Sequence, residues 1–256
     1  MRRFVPFLVL LMACLIAAPA APAAVRGIDV SRFQEYIDWE QVGETKIRFA
    51  YVQASRGSGN DCLVEPTECG ADGYYDTNVE AARAEGIAVG AYHRAFASGK
   101  TRRAATKDAR REVKAFVRSV DEIPRGDLVP VLDVETPFTD LSDRRLRLWI
   151  STWLERVERR LGARPMIYTN ASSWAATADT QRFAKDGHRL WVANFDVDEP
   201  IVPAANWAGY GWSVWQFTST GRVRGIEGDV DKNRLAVPLR RLDARRSTAP
   251  LPPPAR

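Results

Sequence analysis

Short apolar segments alternate with amphipathic ones along most of the 256-residue chain. Eight of these segments are rich in Val, Ile, Tyr and Trp and are bounded by turn residues, which predicts β-strands. They cover residues 26–31, 48–54, 88–93, 128–135, 165–169, 189–195, 212–217 and 229–231. Several are apolar almost throughout, as strands buried on both faces of a parallel sheet are.

Helical spacing of apolar residues separates the first five strands. The clearest case is 142–161, where Ser142 can cap the helix and Gly162 can end it. Further helices are predicted over 101–120, 76–85 and 38–44, with a weak one over 171–184. No helical repeat follows Phe195. Five strand–helix units followed by three strands predict an α/β fold, a TIM-like barrel of eight strands with an incomplete ring of helices.

The chain begins like a secretory signal peptide. Arg2 and Arg3 precede an apolar run over 4–13, and an Ala- and Pro-rich stretch offers A-x-A cleavage sites after Ala20 and Ala23. We therefore predict a signal peptide over 1–24 and a secreted, extracellular protein. The apolar run is too short to span a bilayer, and no later segment approaches the ~20 apolar residues that a spanning helix needs.

The three cysteines bear on this prediction. Cys14 lies in a segment that loosely resembles a lipoprotein cleavage box, so a lipid anchor on Cys14 is the alternative to free secretion, although Met12 fits that box poorly. Cys62 and Cys69 flank a short polar stretch, and two such cysteines in an exported chain predict a disulfide. A two-thiolate metal site is the rival, but no nearby His or second Cys pair completes it.

Size and charge fit one large domain with no nucleic-acid partner. The chain is 45% hydrophobic and has eight Trp, enough for a barrel domain at 25–242, followed by a disordered Pro- and Arg-rich tail at 243–256. Without Arg2 and Arg3 the net charge falls from +5 to about +3, since 35 basic residues then face 32 acidic ones. That charge is spread along the chain, not clustered as in nucleic-acid-binding proteins, and we expect a monomer.

Four carboxylates lie on predicted strands. Asp29 is near the end of the first, Asp133 and Glu135 end the fourth, and Asp231 is in the eighth. Active sites of such barrels lie at the carboxyl ends of the strands. Residues two apart on a strand face the same side, so Asp133 and Glu135 should share one cavity, where crowding raises the pKa of at least one. A carboxyl that keeps its proton near neutral pH can protonate a glycosidic leaving group.

These residues lie within motifs that resemble, in order, those of glycoside hydrolase family 25, the N-acetylmuramidase-type lysozymes. The resemblance covers about residues 26–240, and each motif is weak alone whereas the ordered set is specific. The motifs are Gly27-Ile28-Asp29-Val30-Ser31-x-x-Gln34, Gly90-Ala91-Tyr92-His93, Pro130-Val131-Leu132-Asp133-Val134-Glu135, Ile167-Tyr168-Thr169, Leu190-Trp191-Val192-Ala193, Trp215-Gln216-Phe217-Thr218-Ser219 and Gly225-Ile226-x-Gly228-x-Val230-Asp231-x-Asn233.

The resemblance implies hydrolysis of the β-1,4 bond from N-acetylmuramic acid to N-acetylglucosamine in peptidoglycan. Glu135 is then the general acid, while Asp133 supports the substrate's acetamido group as internal nucleophile or attacks the sugar itself. Asp29 and Asp231 tune the other two. The resemblance implies no metal and no cofactor.

Aromatic residues on the predicted strands are candidate sugar contacts. Tyr92, Tyr168, Trp191 and Trp215 can stack on sugar rings, although aromatics on barrel strands also serve as core, and Gln216 is a candidate substrate-binding residue beside them. We expect His93 to be structural, since no Ser/His/Asp set surrounds it in the sequence.

Two segments depart from the family pattern. Where Lys-Ala-Thr-Glu-Gly is usual after the second strand, this chain has Gln53-Ala54-Ser55-Arg56-Gly57, and Arg94 follows Tyr92-His93 where an aromatic is usual. Two other functions therefore remain open. One is a catalytically weak peptidoglycan-binding barrel, against which the retained Asp133 and Glu135 argue. The other is a metal-dependent barrel phosphodiesterase that uses the four carboxylates as ligands.

Overall fold

The computed structural model describes residues 25–58, 69–248 and 251, and it confirms the predicted barrel. The strands are β1 (Arg26–Val30), β2 (Ile47–Arg56), β3 (Gly70–Ala71), β4 (Ala88–Arg94), β5 (Val131–Asp133), β6 (Met166–Thr169), β7 (Leu190–Ala193), β8 (Val214–Gly221) and β9 (Val230–Leu235). All strands except the two-residue β3 close into a ring, in which β1 pairs with both β2 and β9. The sequence did not predict β3, which pairs antiparallel with the end of β2.

The helices lie where the sequence predicts them, with one difference. The helices are α1 (Trp39–Gly43), α2 (Tyr75–Ala84), α3 (Arg102–Val120), α4 (Asp143–Leu161), α5 (Ala171–Ala175) and α6 (Arg182–Lys185). The weak helix predicted over 171–184 is thus two short helices, α5 and α6. Thr101 caps α3 by accepting a hydrogen bond from Ala104 N at 3.1 Å, and α4 is followed by Gly162, whose φ of 68° favours glycine. A left-handed helical turn follows at Pro203–Ala208.

The eighth strand of the ring runs against the other seven. β9 pairs antiparallel with both β8 and β1, whereas the other pairs around the ring are parallel. Its beginning therefore lies at the edge where the parallel strands end. Asp231, the second residue of β9, reaches the predicted active-site edge for this reason.

Two apolar layers hold the barrel together. Trp149, Trp153 and Phe116 belong to the layer between the strands and the helices, whereas Phe49 and Tyr51 fill the interior of the ring. Glycines make room for the two interior rings. A Cβ atom on Gly27 would lie 2.4 Å from the Phe49 ring, and one on Gly90 would lie 2.2 Å from the Tyr51 ring.

The domain continues past the boundary that the sequence predicts. We expected a disordered tail from Asp243, but a 3-10 helix at Ala244–Arg246 follows, and Ser247 is buried. The Ser247 hydroxyl accepts a hydrogen bond from Arg164 N at 2.8 Å, which ties this segment to the barrel. Residues 252–256 and the predicted signal peptide at 1–24 lie outside the described residues.

Candidate active site

A cleft of about 370 Å³ opens where the parallel strands end. All four predicted carboxylates line it, although Glu135 lies two residues beyond the end of β5 and not within a strand. The other lining residues are Val30, Ser31, Phe33, Gln34, Gln53, Arg56, Tyr92, Arg94, Tyr168, Trp191 and Gln216. The fold therefore brings together acids that are up to 202 positions apart, from Asp29 to Asp231.

Asp29 is held on the floor of the cleft by two amides. Gln216 Nε2 donates to both carboxylate oxygens, at 3.1 and 3.0 Å, and Asn233 Nδ2 donates to Oδ1 at 2.6 Å. Burial raises the pKa of Asp29 to about 6, although these hydrogen bonds favour the charged form. Asp29 is thus a fixed carboxyl that titrates close to neutral pH.

Asp231 lies directly opposite Asp29 across the β1–β9 pair. Burial first, and then the charge of Asp29, raises the pKa of Asp231 to about 9. Like charges at this spacing resist joint ionisation, so Asp231 keeps its proton at neutral pH and donates it in a hydrogen bond to Asp29. The pair therefore carries at most one negative charge near neutral pH.

Asp133 ends β5 and is also buried. Burial and the neighbouring charge of Glu135 raise the pKa of the Asp133 carboxyl well above its ordinary value, whereas the Arg94 guanidinium opposes that rise. Its Oδ1 atom has no hydrogen-bond partner among the described residues. Asp133 therefore offers substrate a carboxyl with one unused oxygen.

Glu135 is more accessible than Asp133, with 30% of its side chain exposed against 8%. Arg94 Nε lies 3.1 Å from Glu135 Oε1. On its far side Glu135 lines a second groove, of about 300 Å³, with Asn170, Asn194 and Phe195. Glu135 thus stands where the two depressions meet.

Three of the four predicted aromatic contacts line the cleft. Tyr168 donates its hydroxyl proton to Gln216 Oε1 at 2.9 Å, and Trp191 donates to Asn233 Oδ1 at 2.8 Å. Trp191 is only 1% exposed, with Tyr51 and Tyr168 packed 4.8 and 4.9 Å from its ring, so it supports the floor.

The prediction for Trp215 was wrong. Its ring is 2% exposed and packs against Trp212 and Arg234, outside the cleft. The reason is the alternation of side chains along a strand: Gln216 points into the barrel, so its neighbour Trp215 points outward.

Two arginines that the sequence marked only as departures form one wall of the cleft. The Arg56 guanidinium lies 5.7 Å from the Phe33 ring and 5.2 Å from the Phe96 ring, and that of Arg94 lies 5.3 Å from the Phe96 ring. These are cation–π distances. The departures from the family pattern were the available signal for this wall, but sequence does not show that the arginines face the carboxylates.

His93 has polar partners that the sequence did not reveal. Its Nδ1 lies 2.8 Å from Ser55 Oγ and its Nε2 lies 2.8 Å from Glu112 Oε2, so the expectation that no such set surrounds it was wrong. All three residues are buried behind the barrel wall, where His93 stacks on Trp153, and none lines the cleft. Burial lowers the pKa of His93 to about 3. A neutral, inaccessible His agrees with a structural role.

Neither a metal cluster nor a membrane-spanning helix is present among residues 25–58, 69–248 and 251. No group of three or more His, Cys, Asp or Glu side chains there is placed to hold a metal ion, and no helix there is long and apolar enough to cross a membrane. Cys69 directly precedes β3, but Cys62 and Cys14 lie outside the described residues, so the Cys62–Cys69 disulfide stays a prediction.

A closed α/β barrel with several carboxyls crowded at one end of its strands is an arrangement that glycoside hydrolases use. Comparison with known proteins assigns the chain to that class. The model of the glycosyl hydrolases family 25 matches residues 28–226. Lysozyme M1 of Streptomyces globisporus is 30% identical over 223 residues, which cover 85% of this chain and 69% of that protein. YegX of Escherichia coli strain CFT073 is 33% identical over 218 residues, covering 83% and 70%.

A solved structure extends the likeness to three dimensions. The bacterial lysozyme from Streptomyces coelicolor superposes with a TM-score of 0.74 at 30% identity, covering 89% of this chain and 99% of that one. The chain therefore belongs to glycosyl hydrolases family 25, as a glycoside hydrolase of the lysozyme type. The resemblance, the fold and the enzyme class predicted from sequence are confirmed.

Proposed function

We propose that this protein hydrolyses the β-1,4 bond between N-acetylmuramic acid and N-acetylglucosamine in bacterial peptidoglycan, with Glu135 as general acid. The observation that carries the proposal is the meeting of four carboxyls in one cleft of a family 25 barrel. Glu135 lines both that cleft and the adjoining groove. A glycan strand that occupies the cleft and the groove together therefore has a glycosidic oxygen next to Glu135.

Each carboxyl then has a role that suits its surroundings. Glu135 gives its proton to the leaving oxygen as the bond from that oxygen to the sugar C1 breaks. Asp133, whose Oδ1 is unused, accepts the acetamido N–H while the acetamido oxygen closes on C1; water then opens this intermediate and returns a proton to Glu135. Asp29 and Asp231 hold a shared proton beneath the sugar and limit the negative charge there.

Direct attack by Asp133 is the alternative second step, and the two routes differ in their intermediates. Attack by Asp133 leaves a sugar covalently bound to the protein, which intact-protein mass spectrometry detects during turnover. Attack by the acetamido oxygen leaves no such adduct, and it makes turnover fail on glycan whose N-acetyl groups have been removed.

The bond specificity is tested on purified peptidoglycan. Products are reduced with borodeuteride and analysed by mass spectrometry, which shows which sugar carries the new reducing end. We expect reduced muramitol in every product. New reducing ends on glucosamine, or release of peptides without glycan cleavage, would contradict the proposal.

We further propose that the protein is exported by the signal peptide at 1–24 and acts outside the cell as a monomer. Arg2, Arg3 and the A-x-A sites support export. N-terminal sequencing of protein from the culture medium should begin near Ala21 or Ala24. An acylated N-terminal Cys14 in the membrane fraction would support the lipoprotein alternative instead.

A further inference from the structure

Arg94 is bound to the catalytic end of the barrel through almost every donor it has. Nη1 donates to the carbonyl oxygens of Ala95 and Glu135, at 2.8 and 3.0 Å, and Nη2 donates to that of Thr136 at 3.1 Å. Nε lies 3.1 Å from Glu135 Oε1 and 3.7 Å from Asp133 Oδ2. One guanidinium thus contacts both the backbone and the side chain of the proposed general acid.

These contacts extend the link between β4 and β5 beyond the strand ladder. Arg94 ends β4 and pairs with Asp133, whereas Glu135 and Thr136 follow the end of β5. The guanidinium is planar and its donors form a rigid fork, so it fixes the position of several acceptors at once. It also lies 5.3 Å from the centre of the Phe96 ring, which restricts the rotation of the Arg94 side chain.

Glu135 lies among other acidic groups of the cleft. Asp133, Asp29 and Asp231 interact electrostatically with Glu135, as does the Tyr168 hydroxyl. Arg56 lies on the same wall of the cleft and acts on Asp133. Arg94 forms an ion pair with Glu135, and this attraction holds the Glu135 side chain in place against the repulsion of its acidic neighbours.

We propose that Arg94 is a positioning residue that aims the Glu135 carboxyl at the glycosidic oxygen. This inference rests on the proposed role of Glu135. It concerns a feature of this chain, since an aromatic residue is usual at this position in the family that the chain resembles. The site thereby gains a fixed geometry for the proposed general acid.

Two kinds of substitution show whether the guanidinium fork of Arg94 is needed or whether a positive charge alone is enough. Arg94→Lys keeps a cation but loses the fork, whereas Arg94→Met keeps the length of the stem and loses both; Arg94→Gln is a second neutral variant in case Met prevents folding. Arg83→Met is the matched control, because it removes an arginine from an ion pair with Asp127 that does not line the cleft. Far-UV circular dichroism and thermal melting establish that each variant is folded.

We expect kcat to fall by about 10- to 100-fold in Arg94→Lys and in the neutral variants, with KM little changed, because the acid is misaligned in all of them. Arg83→Met should match wild type in both kcat and KM. A neutral variant with wild-type kcat would overturn the inference.

A measurement that needs no turnover keeps this inference distinct from the proposed function. Crystal structures of wild type and Arg94→Met, both without substrate, should show the Glu135 carboxyl displaced when the guanidinium is lost. If that displacement is seen in a protein that does not cleave peptidoglycan, the proposed function fails while the positioning of Glu135 by Arg94 stands. If wild type cleaves peptidoglycan and the Glu135 carboxyl keeps its place in the variant, the positioning role fails alone.

Discussion

Asn233 Nδ2 donates a 2.6 Å hydrogen bond to Asp29 Oδ1, although the two residues are 204 positions apart in the chain. The Asn233 amide oxygen accepts at the same time from Trp191 Nε1, at 2.8 Å, and Asn233 is fully buried. The Asn233 amide therefore connects Trp191, which supports the floor of the cleft, to the buried carboxyl of Asp29. Its conversion to an apolar residue of similar size leaves two buried polar groups without that partner.

The first prediction concerns this amide. Asn233→Leu should lower the free energy of unfolding by about 1–3 kcal/mol and reduce turnover, because Asp29 and the Trp191 N–H lose a buried partner. Urea unfolding gives the change in stability, and release of soluble muropeptides gives turnover. A variant with wild-type stability and activity would show that the Asn233 link has no energetic role.

The second prediction concerns Glu135. Glu135→Gln keeps the shape of the side chain but removes the transferable proton, so turnover should fall by about 10²–10⁴-fold in a folded protein. Substrate binding should change little, since a neutral amide resembles the protonated acid. Glu155→Gln, on the exposed face of α4, is the control. Clearance of cell walls by Glu135→Gln near the wild-type rate would refute the assignment.

The third prediction concerns the stability of the Asp133 site. The folded pKa of Asp133 lies above the unfolded value of about 3.9, so wild type loses stability as the pH rises from the unfolded value towards the folded one. The amide of Asp133→Asn does not titrate, so this variant does not lose stability in that way. The melting temperature of Asp133→Asn minus that of wild type should therefore increase from pH 4 to pH 8. Turnover of Asp133→Asn should collapse.

Asp143→Asn provides a control of opposite sign for this experiment. Asp143 is exposed at the start of α4, and hydrogen bonds from the Arg144 backbone and the Arg147 side chain lower its pKa. Ionised Asp143 contributes stability above its unfolded pKa, and this contribution is lost as the pH falls. The melting temperature of Asp143→Asn minus that of wild type should therefore decrease slightly from pH 4 to pH 8. Equal trends in the two variants would show that the pKa of Asp133 is not raised by folding.

The fourth prediction tests the packing inside the barrel. In Gly90→Ala the new methyl group meets the buried Tyr51 ring, which should cost about 1–3 kcal/mol of unfolding free energy. Gly73→Ala is the matched control, because no atom lies within 4 Å of its added Cβ. Denaturant midpoints for the two variants should differ clearly. Equal midpoints would mean that the barrel interior accommodates the added methyl group without a loss of stability.

The fifth prediction concerns Cys62 and Cys69. An exported chain with two cysteines flanking a short stretch should join them in a disulfide. Mature protein unfolded without reductant should then react with no more than a trace of a thiol reagent, and should gain two reactive thiols after reduction. Two free thiols before reduction would rule the disulfide out.

Much of the barrel was determined by sequence alone, because local pattern fixes local structure. The spacing of Trp149, Trp153 and Leu154 predicted α4, and the apolar run ending at Asp133 predicted β5. Neighbouring side chains on a strand point to opposite faces, so this alternation, applied to Gln216 and Trp215, would have excluded one of the two from the cleft. The ordered motifs then identified the family, because each motif falls at the end of a strand that the fold requires.

Only the tertiary structure decided which charges meet. Strand direction is set by the closure of the ring, so sequence could not show that β9 runs antiparallel and brings Asp231 opposite Asp29. Nor could it show that Arg94 crosses from β4 to Glu135, because electrostatic energies depend on distances between residues that are remote in the chain. The pKa values of the carboxyls follow from those distances and from burial, and burial exists only once the barrel has closed around them.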